Sequence, residues 1–208
     1  MGRKPVGGND ADFIWRVYGA GGSTVYLMER GKRRMRYFRI YTDDRNPLPR
    51  ILNWNSLVKP GRRAEQSIYE ALGRNNYLKV ELNRECQFMD ILCYPCFLAS
   101  KDMADLIRLY CPNTRFKNMF LYDEANQRTA HYLVPQLEEI DCLHERSELS
   151  RDKSEITRGI LVKERIEGHP IFRIGQIEGR YTIANLEFIE SAYRREVRGM
   201  KIEEFTVQ

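Results

Sequence analysis

The sequence predicts an α+β protein built mainly on antiparallel sheet, with about three helices. Three observations carry that prediction. Short stretches of alternating apolar and polar residues recur, as in 77–82 and through 160–184. The chain holds 12 Tyr and 9 Phe beside many β-branched residues, a composition that favours sheet. Three segments combine helical apolar spacing with start or stop signals, near 64–73, 101–110 and 186–198.

The 208 residues suffice for one large domain or two small ones with ample core. A hydrophobic content of 42% excludes a disordered chain. The net charge of +5 comes from 34 basic and 29 acidic residues, interleaved, which is a weak signature for nucleic acid. No apolar run approaches the roughly 20 residues that span a bilayer. The opening MGRKPVGGNDADF lacks the apolar core of a secretory signal, and the residues after Gly2 lack the Ser or Thr of a myristoylation signal. Five cysteines, Cys86, Cys93, Cys96, Cys111 and Cys142, are expected to stay reduced in a chain with no export signal. The expectation is a cytoplasmic protein that does not enter a membrane.

Taken in order, residues 1–22 read as a flexible leader around the apolar patch 13–18, and 23–208 as a single domain. YGAGGST lacks the Gly-Lys-Ser/Thr ending of a phosphate loop and precedes a strand, so it reads as a turn. The stretch 25–41 predicts a β-hairpin turning at Gly31. Arg30, Lys32, Arg33, Arg34, Arg36 and Arg39 make it the most basic segment, interleaved with Tyr37, Phe38 and Tyr41. Such a tip suits contact with nucleic acid or an acidic protein. It equally suits a solvated turn whose charges discourage edge-to-edge aggregation, and the low net charge favours that reading.

NPLPRILNWNSLVKPGRR is an irregular connection, followed by a helix stopping at Gly73 and the strand 77–82. Two later stretches, 96–123 and 181–208, both read strand, helix, strand. Ser100 and Asn185 are natural N-caps, each with an acid two positions on, Asp102 and Glu187. Met103, Leu106, Ile107 and Tyr110 share one helical face, as do Ile189, Ala192 and Tyr193. Cys111-Pro112-Asn113 stops the first helix, and Gly199 in the C′ position stops the second. Ala99 and Ala184 stand as far apart as Phe120 and Phe205. That equal spacing suggests an internal strand–helix–strand repeat, with sub-units 23–125 and 126–208. Between the two copies, 132–134 is a short strand and 147–154 a charged loop. RGILVKERI, PIFRIGQI and RYTIAN read as consecutive strands, with a tight turn at Glu178-Gly179.

The stretch EEIDCLHERSEL gathers Asp141, Cys142, His144, Glu145 and Ser147, residue types used in acid–base and nucleophilic chemistry. Partners for such chemistry usually meet from distant sequence, and neighbours on one strand rarely line up. Cys93 and Cys96 form one CxxC. A zinc site wants a second pair, and a redox dithiol wants a helix N-terminus, whereas the helix here begins after Ser100. His131, His144 and His169 are widely separated. The expectation is no catalysis, no metal, no cofactor and no small-molecule substrate.

A loose series of motifs runs through residues 89 to 207. It includes Met89-Asp90-Ile91-Leu92, Pro95 with Ser100, and Tyr132-Leu133-Val134. Ile140-Asp141-Cys142-Leu143 and Ser147 follow, then Ile171-Phe172-Arg173. Asn185 opens the last helix, and Gly199 and Phe205 close the series. In this series the chain resembles a family of bacterial polymorphic-toxin immunity proteins, the immunity-protein-eleven type, formerly a domain of unknown function. The family often has a second acid where this chain has His144. The resemblance implies structural roles for the motif residues, with Asp141 bracing a turn and Cys142 packing in the core. It also implies inhibition by binding a cognate toxin protein, often a nuclease, made in the same cell. The contact face is expected at Arg30, Lys32, Arg33 and Arg34 with the exposed aromatic Tyr37, since Arg and Tyr are enriched at hot spots. Inhibitors of basic nucleases are usually acidic, so this basic chain implies an acidic toxin or a locally acidic face near Glu138, Glu139, Asp141, Glu145 and Glu148. The alternative is a nucleic-acid-binding module using the hairpin 25–41, which would show steep salt dependence.

Overall fold

The computed structural model describes residues 15–19, 22–26, 35–45, 47–58, 65–151, 154–175, 177 and 181–208. The chain divides into two units, Met1–Arg34 and Met35–Gln208. In the first, β1 (Trp15–Gly19) and β2 (Gly22–Tyr26) pair antiparallel, with Trp15 opposite Tyr26. The stretch read as a leader contains β1.

The second unit runs β3 (Tyr37–Thr42), β4 (Arg50–Ile51), α1 (Trp54–Leu57), α2 (Glu65–Ala71), β5 (Asn75–Glu81), β6 (Ile91–Leu92) and β7 (Leu98–Ala99). Next come α3 (Lys101–Tyr110), β8 (Phe116–Asp123), β9 (Arg128–Pro135), β10 (Glu139–Ile140), β11 (Glu148–Leu149) and β12 (Ile156–Arg158). It closes with β13 (Ile160–Leu161), α4 (Lys163–Ile166), β14 (Ile171–Ile174), β15 (Thr182–Asn185), α5 (Leu186–Arg194) and β16 (Met200–Val207). This is an α+β protein dominated by sheet.

The first large sheet has the order β10-β14-β15-β3-β16-β13, and the second β4-β5-β8-β9-β7-β6. Pairing is mainly antiparallel. The parallel neighbours are β10 with β14, β13 with β16, and β5 with β8. Among the described residues the hairpin expected over 25–41 does not appear. β2 pairs with β1, while β3 pairs with β15 on one edge and β16 on the other. Tyr37, Phe38 and Ile40 are all buried, so β3 is apolar on both faces and belongs inside a sheet.

Among the described residues there are five helices rather than three. The additions, α1 and α4, are single turns of four residues, too short for a helical period to register. α4 also interrupts RGILVKERI, which is strand only at Arg158, the end of β12, and over Ile160–Leu161. The caps behave as the sequence predicts. Ser100 Oγ accepts from the Met103 N–H at 3.3 Å, and Asn185 Oδ1 from Phe188 N–H at 2.9 Å, each worth about 1 kcal/mol. The end of α5 does not. Glu196, at φ +56°, takes the left-handed C′ position. Val197 N–H donates to Ala192 O and Glu196 N–H to Tyr193 O, the paired bonds of a Schellman closure. Gly199, also left-handed at φ +77°, opens β16 instead.

Three cores hold the second unit. α3 and α5 pack on each other, with Tyr110 edge-on to Phe188 at 5.3 Å and its hydroxyl donating to Glu187 O at 3.0 Å. Their apolar faces share one core with Phe38, Ile40, Ala184 and Met200 of the first sheet and Ile91 and Ala99 of the second. α2 covers the other face of the second sheet through Ile68, Tyr69 and Leu72 against Leu78, Val80, Met119 and Leu121. Ile166 of α4 and Cys142 pack against Tyr37, Phe172, Ile183 and Phe205 on the far face of the first sheet.

The two strand–helix–strand stretches share a topology. β7 and β8 flank β9, and β15 and β16 flank β3, each middle strand antiparallel to both neighbours. Their phases differ. Ala99 and Ala184 both face the core of α3 and α5, but Phe205 lies in the opposite core while Phe120 sits on the helix-side face of its sheet. A one-residue slip in a strand exchanges its faces, so the equal spacing of the phenylalanines does not mark equivalent positions.

Candidate functional site

The cluster at 141–147 is tied into the backbone around it. Cys142 is fully buried, and burial, with the nearby Asp141 charge adding to it, pushes its thiol up to about 12. The His144 N–H donates to Ile160 O, and its Nδ1 accepts from Arg146 N–H at 3.1 Å. Ser147 Oγ donates to Ile160 O at 3.0 Å and accepts from Ile160 N–H at 3.1 Å. Arg165 donates to Asp141 O at 3.0 Å and approaches its carboxylate at 3.6 Å. Among the described residues no hydrogen bond joins the Cys142 thiol, the His144 ring and the Ser147 hydroxyl. The arrangement braces a turn against β13 and α4.

The cysteines of the CxxC belong to different cores. Cys96 is buried against α2, whereas Cys93 packs against the core of α3 and α5 and directs its thiol at Ile40 O, 3.9 Å away. Pro95 between them is buried. Among the described residues no three His, Cys, Asp or Glu side chains group to hold a metal ion, and no helix is long and apolar enough to cross a membrane.

Several motif residues, scattered in sequence, meet in space. Asp90 O accepts from Ser100 N–H at 2.7 Å, Asp90 N–H donates to Arg198 O at 3.1 Å, and the Asp90 carboxylate accepts from Arg198 N–H at 2.7 Å. Gly199 follows directly, its Cα pressed against Met89. Gly199 O takes the Asp43 N–H at 2.9 Å. Asp43 is itself gripped by Arg45 and then Lys201, which hold its carboxyl well below the usual carboxylate range. Phe172 packs edge-on to Tyr37 at 5.8 Å. Arg173 is buried in β14, and its N–H donates to Glu138 O. Phe205 lies against Gly159.

Of the expected contact face, only Tyr37 falls among the described residues. Arg30, Lys32, Arg33 and Arg34 lie outside the described residues. Tyr37, expected beside them as an exposed aromatic, is only 2% exposed. Its hydroxyl donates to Ile166 O at 2.7 Å, and burial, then the charges of Glu167 and Glu187, raise its pKa to about 12. Tyr37 is a core residue.

The exposed aromatics lie elsewhere, on the second sheet. α3 packs on β7 and β9, and α2 covers the opposite face; among the described residues the helix-side face of β5 is open, with Asn75, Tyr77 and Glu81 exposed. Strand alternation puts Asn75, Tyr77, Lys79 and Glu81 on that face and buries Asn76, Leu78 and Val80 behind them. Tyr77 stands directly opposite Phe120, and Phe120 opposite His131. The three rings stack in a row, 5.5 Å and 24° between Tyr77 and Phe120, 4.7 Å and 14° between Phe120 and His131. Tyr77 is 60% exposed. Asn118 Nδ2 donates to Asn75 Oδ1 at 2.7 Å, so its Oδ1 accepts from His131 Nε2 at 3.0 Å. Lys79, Tyr122 and Thr129 form the next row. Sequence reasoning missed this ladder. Its signal was present: aromatics occupy the positions of β5 and β8 where alternation calls for solvent-facing polar residues.

A scan of protein-family models finds none that matches this chain, and a search of curated proteins finds no match.

Proposed function

We propose that this chain is an immunity protein, which binds a cognate bacterial toxin domain and neutralises it by occlusion, without chemistry of its own. The observation that carries the reading is the motif series from Asp90 to Phe205 and its likeness to that family. Two structural features support it. Within the stretch from Asp141 to Ser147, the Ser147 hydroxyl and His144 Nδ1 bond backbone groups and the Cys142 thiol is buried. The sheet also offers a pre-formed aromatic face, and pre-organisation lowers the ordering cost of association. On this reading the protein works in the cytoplasm of the cell that makes the toxin. Self-protection calls for a Kd of nM or better, about −12 kcal/mol, over an interface of about 1,600 Å² in total.

Co-expression with the toxin domain encoded in the adjacent gene tests it. The chain should restore growth and co-elute with that domain in size exclusion. Failure of both rescue and co-elution sinks the reading.

A further inference from the structure

We infer that the toxin domain docks on the open face of the second sheet, centred on the Tyr77–Phe120–His131 ladder, and meets it with a charge-balanced patch of apolar side chains and hydrogen-bonding groups. This rests on the neutralising reading above and names its surface.

The ladder has the properties of a binding anchor. Aromatic side chains lose little conformational entropy on association and dominate hot spots. Here they are held on three paired strands, where sheet register fixes their spacing more firmly than a loop would. Leu52, whose N–H bonds Lys79 O at the edge of the same sheet, adds exposed apolar surface.

Charge decides the class of partner. Three cations around the face, Arg50, Lys79 and Arg108, are matched by nearby carboxylates. Arg50 pairs with Glu81 at 2.8 Å and Lys79 with Glu124 at 2.5 Å. Arg108 pairs with Asp105 at 2.6 Å while lying over the Phe116 ring at 4.3 Å. A nucleic-acid backbone needs cations free for its phosphates and would meet Glu81 and Glu124 here. The rings also turn their faces to each other, and Phe120 in the middle has both faces covered, which reduces the surface on which bases could stack. Ring edges are the positive rim of the aromatic quadrupole and suit carbonyl oxygens and other rings. The network through Asn118 engages His131 Nε2. A protein surface without net charge fits all of this.

The test uses the full chain and the toxin domain encoded beside it. Three variants are compared with wild type: Tyr77→Thr/Phe120→Thr/His131→Thr, which keeps β-formers on the face; Thr129→Arg, which adds bulk beside the ladder and removes no packing; and Tyr94→Ser, equally exposed at 64% but on the β6–β7 connection. The triple variant should raise Kd by about 100-fold or more, Thr129→Arg by about 10-fold or more, and Tyr94→Ser by no more than about 2-fold. Urea midpoints verify folding, and Thr129→Arg decides the matter if the triple variant is unfolded. If wild type binds and Thr129→Arg binds equally well, the surface is wrong while the neutralising reading stands. If wild type does not bind, both fall. If Thr129→Arg leaves toxin binding intact but abolishes self-association or binding of a single-stranded oligonucleotide, the face serves that other partner and the inference is overturned.

Discussion

Replacing Gly199 by Ala separates two reasons for a glycine. Gly199 has φ +77°, and Gly168, just after α4, has φ +84°. A left-handed L-residue costs about 1–2 kcal/mol, offset by about 0.4–1 kcal/mol of lost freedom in the unfolded chain. Gly168→Ala should show only that balance, about 1 kcal/mol, because a Cβ there would meet nothing within 4 Å. At Gly199 the new Cβ would lie 2.5 Å from Met89 Cβ and 2.8 Å from Met89 Cγ. Met89 Cβ is fixed to its backbone and cannot swing aside. The start of β16 or the Asp90–Arg198 joint must shift, adding about 1–3 kcal/mol of overpacking. Gly199→Ala should therefore cost about 2–4 kcal/mol, roughly a third of the stability of an ordinary domain. Urea unfolding followed by circular dichroism measures both variants. If the two losses agree within about 0.5 kcal/mol, the close approach to Met89 contributes nothing and the packing argument is refuted.

Glu196→Gly should stabilise by about 0.5–1 kcal/mol, since the left-handed closure of α5 is now made by an L-residue; a fall in thermal midpoint would contradict it. Tyr132→Phe removes a buried hydroxyl that donates to Met89 O at 2.6 Å and should cost about 1–2 kcal/mol by urea titration, against no change if that carbonyl finds another donor. Cys142 links stability to alkaline pH. Its folded pKa, about 12, lies above the ordinary 9.0, so its contribution is complete below about pH 9 and drains away between pH 9 and 12, at about 1.4 kcal/mol per unit. The stability gap between wild type and Cys142→Ala should shrink from pH 8 to pH 11; a constant gap would mean that the thiol titrates normally.

What could be read from sequence was what neighbours in the chain decide. Ser100 and Asn185 cap helices because the bond partner is three residues away, and 77–82 alternates because one strand has one buried face. The pairing of β3 was not legible. Its nearest apolar neighbour in sequence, β2, offered a plausible hairpin, while its true partners β15 and β16 lie at the far end of the chain. The end of α5 was misplaced because glycine is the usual left-handed residue, and Gly199 stood close enough to draw the assignment from Glu196. The ladder needs registers across three strands, one of the two pairings parallel, before Tyr77, Phe120 and His131 become one object. The contacts of Asp90 with Arg198 likewise join positions 108 residues apart, and no local pattern announces them.

The central place of β3 in its sheet has a consequence for synthesis. Both of its edges are closed only by β15 and β16, and its flanking Arg36 waits for Glu204 across 168 residues. At ribosomal rates of about 5–20 residues per second, that separation is roughly 10–30 s during which an apolar strand stays open on both sides. An unpaired edge of that kind is a template for pairing between nascent chains. The cell is thus expected to hold this segment on a chaperone until the last strand emerges, and expression should be limited by that interval more than by the stability of the finished fold.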